Sequence, residues 1–411
     1  MKILVVGAGP AGMMAAIHAI NNDNQVTIIE ANGSLGKKLL LTGNGRCNIA
    51  NNKPNYQLIK ILHNGKFMTK ILNNFDINFI HEFYANKGLD LVEEVDNKLY
   101  PITQKSASVL DVFKDYLNEL NITVRYNSRL DNFKLENGKI TSLIINGKTE
   151  YYDHIIFASG GLSFPNIGSD GHIHNLLKAN NIKYSDNYPV EAPLFSNDKI
   201  VKDKELLGLS FKDVKLSLYS SQSAKIIDSI RNDLIFTHKG LSGPGALILS
   251  ETVYKLIEQN KSPYLAICFL NDLKQSKLAE IIANSDQSIR NVLYDYLPKR
   301  LVNYMLNINN IDPHTHTKQV SNLNKEKLYE AIYRFKIQID QVAPLKQAFI
   351  TGGGISLDEL SDESLVLHKI TNLSLCGEML DIHGPIGGYN LLIAQVTGAF
   401  AGSYVKTLKK D

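Results

Sequence analysis

Gly7, Gly9 and Gly12, in the run Gly7-Ala8-Gly9-Pro10-Ala11-Gly12, have the G-x-G-x-x-G spacing that lets a backbone close around a pyrophosphate. Gly7 permits the tight turn, Gly9 keeps a Cβ away from the phosphates, and Gly12 allows helix and strand to pack closely. The run follows the apolar segment Ile3-Leu4-Val5-Val6 and opens a stretch, Met13 to Asn22, that reads as a helix. The free N–H groups and positive dipole of that helix N-terminus, with Pro10 and Ala11 beside them, suit an anion. A second apolar run, Val26-Thr27-Ile28-Ile29, ends on Glu30, 18 residues after Gly12. A carboxylate there can accept both hydroxyls of an adenosine ribose and would repel a 2′-phosphate. Glycine-rich turns are common, but one set in strand, helix, strand and acid reads as a dinucleotide site. A secretory or membrane segment is excluded by three glycines, Pro10 and His18 within residues 3–20, with only Lys2 as a preceding base.

Three further stretches have the composition of ligand contacts. Gly36 to Asn48 is dense in glycine, cation and amide and poor in periodicity, as expected of a loop lying along a polar ligand. Ile155-Ile156-Phe157-Ala158-Ser159-Gly160-Gly161 is a buried strand running into small residues, readable as a returning nucleotide-domain strand or as a plain strand-end turn. Near the C-terminus, Leu373 to Glu378 is strand into turn, and Gly387-Gly388 opens an apolar helix from Leu391 to about Val405. Two glycines at a helix start make a second anion-binding N-terminus. Ligand contacts at both ends of the chain imply one long cofactor, and FAD meets that demand better than NAD.

The elements that must position these residues follow from periodicity. Residues 56–86 read as helical, with Phe75, Phe79, Ile80 and Phe83 as core aromatics. Leu91–Val95 and Lys98–Ile102 read as a hairpin around Asp96-Asn97, and Ser106–Leu120 as an amphipathic helix. Runs at 122–126, 139–145 and 149–157 suggest a β-meander with an Asn146-Gly147 turn. From Tyr188-Pro189 the texture changes. Phe211–Tyr219, Leu234–Thr237 and Tyr264–Phe269 are strand-like, and Ser242-Gly243-Pro244 starts a helix to Asn260. Residues 272–335 are mostly helical, with Leu293, Leu297, Leu301, Tyr304 and Met305 as an apolar stripe. A strand at Gln347–Ile350 followed by Gly352-Gly353-Gly354 marks the return. The expected organisation is a first nucleotide-binding part at 1–188, a β-rich insert at 189–271 and a helical insert at 272–335. A return segment at 336–345 then leads to the closing nucleotide-binding part at 346–411.

At 411 residues the chain has ample length for a core, and Lys+Arg 44 against Asp+Glu 41 is too mild a surplus to argue for nucleic acid. Cys47, Cys268 and Cys376 stand far apart without C-x-x-C, which suggests neither a disulfide framework nor a zinc ribbon. His314-Thr315-His316 lacks the carboxylate or cysteine support of a metal site, so no metal is expected. With no apolar run of transmembrane length, the expectation is a reduced, cytoplasmic, soluble protein.

Thr42-Gly43-Asn44-Gly45-Arg46-Cys47-Asn48, Phe236-Thr237-His238-Lys239-Gly240-Leu241-Ser242-Gly243-Pro244, and Gly377-Glu378 through Gly387-Gly388-Tyr389-Asn390 resemble the BaiN/RdsA (YhiN-like) family of bacterial FAD proteins. The resemblance runs in order along essentially the whole chain. It implies an α/β fold: a glutathione-reductase-like, Rossmann-type FAD domain interrupted by a β-barrel-like and a small helical insert. It sets Lys38, Thr42, Gly43, Arg46, Cys47, Asn48, Gly160, Gly377, Glu378, Asp381, Gly387, Gly388, Tyr389 and Asn390 beside Gly7–Gly12 and Glu30 as cofactor-binding residues, with Arg46 and Asn48 at the flavin end or pyrophosphate. The implied activity is an FAD-dependent oxidoreductase in which NAD(P)H, as a transient co-substrate, supplies hydride through flavin to an activated double bond. The substrate is then a small unsaturated metabolite or, by base flipping, a uridine of 23S ribosomal RNA made into dihydrouridine. Amine oxidation and a non-catalytic FAD-stabilised binding protein are the alternatives. Cys47 reads either as a proton donor or as a packed thiol, and His383 either as an acid or as a loop histidine. No membrane partner is expected, and nothing in the sequence speaks to the oligomeric state.

Overall fold

The computed structural model describes residues 1–409. They form two compact units, Pro189–Ala348 and the flanking Met1–Tyr188 with the segment from Phe349 onward.

In the flanking unit, β1 (Lys2–Val6) and the strand His154–Phe157 are buried almost residue for residue, as strands covered on both faces must be. The sheet runs in the order Val366–Leu367, Ile370–Leu375, His154–Phe157, β1, β2 (Gln25–Ile29), Thr123–Arg125. All neighbours are parallel except the edge strand Val366–Leu367. β1 therefore lies between β2 and His154–Phe157, and its carboxyl end opens at the point where the strand order reverses. Helix α1 (Pro10–Ala19) starts there, with Gly9 as its N-cap and Pro10 at the first position, where its missing N–H leaves no bond unmade.

The C-terminal helix, Tyr389–Thr407, packs on α1 through small residues. A Cβ on Gly398 would lie 2.2 Å from the Ala11 carbonyl oxygen, and one on Gly402 would lie 2.2 Å from that of Ala15. Glycine here admits the neighbouring backbone itself.

Several expected elements differ. The Asn146-Gly147 turn and the start of the run at 149–157 lie in the meander as expected, but Thr123–Arg125 and His154–Phe157 belong to the parallel sheet. The meander is Leu130–Glu136, Lys139–Ile145 and Lys148–Glu150, and its first strand was hidden by register shifts that break its alternation. The helical stretch 56–86 is four short pieces, because Asn64 is left-handed and Asp76 caps a new helix, Ile77–Ala85. The return strand is Ile350–Ile355 rather than Gln347–Ile350, and the three glycines lie inside it. They are needed because the strand runs hard against its neighbours: a Cβ on Gly353 would lie 2.2 Å from the Asp186 carbonyl oxygen.

In the unit Pro189–Ala348, seven strands form one sheet. Phe335–Gln338 is at one edge and Gln341–Val342 at the other, although only residues 339 and 340 separate them in sequence. That connection is possible only if the sheet curls until its edges approach, which gives a barrel-like form. Helices Gln275–Asn284, Ile289–Tyr294, Lys299–Ile308 and Asn322–Tyr333 share one core with these strands, through residues such as Leu216, Leu293, Leu301 and Ile337. The stretches 189–271 and 272–335 thus fold as one body. Among the described residues, no helix is long and apolar enough to cross a membrane.

The crossing of α1 with the C-terminal helix makes a sign-reversed prediction. Gly→Ala inside a helix ordinarily gains up to about 1 kcal/mol. At Gly398 the added methyl meets a backbone oxygen, and overpacking of this kind costs about 1–3 kcal/mol. Gly398→Ala should lower the unfolding temperature; a value equal to or above that of the unaltered protein would show that the helices can separate freely.

Candidate functional site

The loop after β1 is held from both sides. The Gly7 N–H donates to Ile29 O at 2.9 Å, and Ala158 N–H donates to Val6 O at 2.9 Å. Gly7 is left-handed, with φ +107°, and a Cβ there would lie 2.5 Å from Ala158 O; one on Gly12 would lie 1.9 Å from Gly7 O. Gly9 differs: beyond its chain neighbours, no heavy atom of the described residues lies within 4 Å of its Cβ position. Its open side faces a cleft lined by Gly7, Gly9, Pro10, Ala11, Glu30, Lys38, Gly160, Gly377 and Glu378. Gly12 is a packing residue beneath that surface.

Glu30 is held by its own loop. Oε2 accepts from Ala8 N–H at 2.9 Å, and Oε1 accepts from the backbone N–H of Asn32 at 2.8 Å and its amide at 2.7 Å. Three of the roughly four acceptor positions of a carboxylate are therefore taken. One remains for a ribose hydroxyl, where the sequence suggested two. The Asn32 amide also donates to Ile167 O at 3.0 Å, and Arg129 pairs with Asp170 at 2.8 Å. These contacts tie the segment Ile167–Ile173 along the cleft. That segment and Ser128–Leu130 were missed from the sequence, and only Gly168 and Gly171, both left-handed, carry a local signal.

Lys38 and Glu378 meet across the cleft at 2.7 Å. Lys38 also donates to Ser163 Oγ at 2.6 Å, and Glu378 accepts from Thr351 N–H at 3.0 Å. Burial pushes the Glu378 carboxyl up, but Lys38 and the amides of Thr351 and Gly161 hold it below its ordinary value. The pair thus stabilises the fold above the ordinary carboxylate range, and that contribution is lost as pH falls through the lowered native value.

The other expected site residues lie outside this cleft lining. Thr42 to Asn48 form a tight loop joined to the start of the C-terminal helix. With the Asn48 amide oriented to satisfy its neighbours, its oxygen accepts from Gly388 N–H at 3.0 Å, and its nitrogen donates to Ala50 O at 3.0 Å and Leu99 O at 3.2 Å. Asn51 adds a bond to Gly387 O at 2.8 Å. Gly388 is glycine because a Cβ there would lie 2.2 Å from Ala50 O. Thr42 Oγ1 donates to Leu39 O at 2.6 Å, and Gly43 is left-handed. Arg46 points to the neighbouring hairpin, bonding Gln104 at 2.7 Å, pairing with Glu94 and lying 4.1 Å above the Tyr100 ring. Asn390 closes its own loop, donating to Gly384 O at 2.6 Å and accepting from Gly384 N–H at 2.8 Å, and Tyr389 is buried. Asp381 accepts from Ser185 Oγ at 2.7 Å and faces His63 Nε2 at 3.4 Å; the His63 ring stacks on buried His383 with centroids 4.8 Å apart.

Cys47 is wholly buried in the main core, and burial pushes its thiol up to about 12.

The cleft fits the dinucleotide end of FAD. Gly9 leaves room where a side chain would intrude, the first turn of α1 turns unpaired N–H groups toward it, and Ser159, on its lining, carries a buried hydroxyl oxygen without a hydrogen-bond partner.

The sequence matches the family described as HI0933-like protein Rossmann domain over residues 1–404. It is 26% identical over 409 residues to the 3-dehydro-bile acid delta(4,6)-reductase of Clostridium scindens, covering 98% of each chain. To the ribosomal RNA dihydrouridine synthase of Escherichia coli it is 25% identical over 393 residues, covering 94% of this chain and 93% of the other. Among solved structures, the 3-ketosteroid delta1-dehydrogenase of Sterolibacterium denitrificans aligns with TM-score 0.56 at 10% identity, covering 98% of this chain and 99% of that one. The 3-ketosteroid-delta4-(5alpha)-dehydrogenase of Rhodococcus jostii RHA1 aligns with TM-score 0.53 at 14% identity, covering 99% and 97%. At those identities the structural likeness is one of fold.

Glu30→Ala removes a ribose acceptor and frees Ala8 and Asn32, so FAD should be lost on dialysis, with about 1.5–3 kcal/mol for each charge-assisted bond. Full retention of the yellow cofactor would remove Glu30 from the site. For Cys47, a thiol held near 12 is only about one part in 10⁴ thiolate at about pH 8, so iodoacetamide should label it only after unfolding. Labelling in the native protein would show that the thiol reaches solvent.

Proposed function

This chain belongs to the HI0933-like Rossmann-domain family and is an FAD-dependent oxidoreductase, and we propose that it reduces a carbon–carbon double bond conjugated to a carbonyl, with a uridine of ribosomal RNA as substrate. One observation carries the reaction class. Two relatives match over more than nine-tenths of both chains, and both of their named reactions saturate such a bond. In a 3-dehydro-bile acid, the 4,6 double bonds are conjugated to the 3-oxo group; in uridine, the C5=C6 bond is conjugated to the C4 carbonyl. The two substrates share a hydride acceptor at the β-carbon and differ in everything around it.

Bound FAD would supply two-electron hydride chemistry at its N5, which the side chains of the protein cannot. The chain's own residues bind and orient. Gly9 and the first turn of α1 would hold the pyrophosphate, and Glu30, fixed by Ala8 and Asn32, would hold the ribose. Lys38 and Glu378 would face the middle of the cofactor from opposite sides of the cleft. Asn48 and Gly388 hold the Thr42–Asn48 loop against the start of the C-terminal helix, where the flavin end would lie. Cys47 fits the packing role, because a wholly buried thiol held near 12 neither meets a substrate carbon nor yields its proton readily. NAD(P)H is proposed as the reductant: among the described residues there is one parallel Rossmann-type sheet, so a nicotinamide would bind transiently.

The test compares ribosomal RNA from a strain lacking this protein with RNA from its parent, by mass analysis of nuclease fragments. One uridine should be lighter by two hydrogens in the deletion strain. In parallel, the protein reduced anaerobically by NADH or NADPH is mixed with that RNA or with a 3-oxo-4,6-diene bile acid. Flavin reoxidised by the RNA alone supports the uridine reading, and reoxidation by the bile acid alone replaces it with a steroid-like substrate. Reoxidation by neither overturns the proposed reaction class.

A further inference from the structure

The Phe236–Pro244 motif has no place in the dinucleotide site. In the unit Pro189–Ala348 it forms the tight turn between the strands Ser223–Phe236 and Gly240–Ser242, where Thr237 N–H donates to Gly240 O at 2.7 Å. A Cβ on Gly240 would lie 2.1 Å from Leu194 O, so this turn is pressed onto the strand Leu194–Phe195. The packing leaves His238 and Lys239 exposed at the rim of an open groove of about 410 Å³. Lys202, the last residue of the short helix Lys199–Lys202, and Lys204 just beyond it line the same groove, and Phe195 contributes an aromatic ring with Lys239 Nζ 5.3 Å from its centroid.

The charge balance of the groove is uneven. Among the described residues, no ion pair involves Lys202, Lys204 or Lys239, whereas the nearby Lys199 pairs with Asp203 at 2.5 Å. The one carboxylate on the lining, Asp340, accepts from Asn197 N–H at 2.5 Å. Three unneutralised ammonium groups and a histidine thus face a cavity with one engaged acid. The unit as a whole carries 21 Lys and Arg against 17 Asp and Glu, so the surplus of the chain is concentrated here.

We propose that this groove binds the phosphate backbone of single-stranded RNA, with Lys202, Lys204 and Lys239 contacting phosphates and Phe195, capped by Lys239 in the free protein, offering a stacking face once that ammonium turns to a phosphate. The inference rests on the ribosomal RNA reading above and supplies what that reading lacks, a surface that holds the polymer while one base is presented for reduction. Lysine ammonium groups around an aromatic face are the chemistry by which proteins hold RNA strands without reading sequence. The exposed amide of Asn197 adds a donor and acceptor at the same rim.

The experiment measures binding of a fluorescent oligouridylate, and of deproteinised large-subunit ribosomal RNA, to the FAD-loaded protein across a salt series. The K202Q/K204Q/K239Q variant is compared with a control of equal charge change outside the groove, K325Q/K327Q/K346Q. Loss of three phosphate contacts should lower the slope of log affinity against log salt by about 2 and weaken binding at about 0.1 M salt on the order of 10- to 100-fold. The control should bind as the unaltered protein does, and reduction of the flavin by NAD(P)H should be unchanged in both. Undiminished RNA binding in the groove variant, or equal loss in the control, overturns the groove assignment. Absence of RNA binding by the unaltered protein overturns both the groove and the RNA substrate. Binding that depends on the groove, with no uridine reduced, leaves the groove standing and removes the substrate assignment.

Discussion

The cofactor-binding unit depends on backbones approaching more closely than any side chain would allow. The turn after β1 rests on Ala158 through Gly7 and on α1 through Gly12, and α1 in turn rests on the C-terminal helix through Gly398 and Gly402. At each contact an added Cβ would lie 1.9–2.5 Å from a carbonyl oxygen. Side-chain repacking cannot relieve such a clash, because the obstacle is the chain itself. The stack brings the first and last segments of the sequence into one layer. It also aims the first turn of α1 into a cleft whose far wall comes from residues 377 and 378.

Within that frame, polar contacts fix the loops. Asn48 and Gly388 are joined across most of the chain length, and Tyr84, Gln395 and Ile49 O form a second buried chain of hydrogen bonds behind them. Each leaves few buried polar groups unmade in a region built of loops, which would otherwise carry a large desolvation penalty. Lys38 and Glu378 do the same for charge. Neither could be half-buried alone without cost, and together they span the cleft at the position where both motifs converge. The site is thus preorganised by contacts among residues that, in sequence, have no visible relation.

The inserted unit solves a different problem. A seven-stranded sheet leaves two edges, and here consecutive short strands occupy both, so that the sheet curls toward closure. Its helices complete one core with it, and the tight turn at Thr237–Gly240 is the price in conformational freedom that a sharply curled sheet demands. The same turn presents His238 and Lys239, so a structural necessity and a charged rim arise from one motif.

What the sequence determined by itself was local: the strand–turn–helix with its glycines, the acid at the end of β2, the hairpin around Asp96-Asn97 and the core role of Phe75, Phe79 and Phe83. These rest on backbone sterics and periodicity within a few residues, which a linear reading can see. Gly387-Gly388 at a second helix start pointed to one contact far along the chain, and resemblance supplied the rest of the long-range set. Tertiary structure alone took Thr123–Arg125 out of the meander, because a three-residue, partly exposed strand carries no local sign that it pairs with β2. It alone turned Arg46 toward Glu94 and Tyr100, and gave Asn390 to Gly384, since a guanidinium or an amide bonds whichever partner the fold brings within reach. It alone buried Cys47, and with burial came the raised pKa that separates a packed thiol from an acid. Residue type sets what a side chain can do; its dielectric surroundings and partners, which only the folded chain supplies, set what it does.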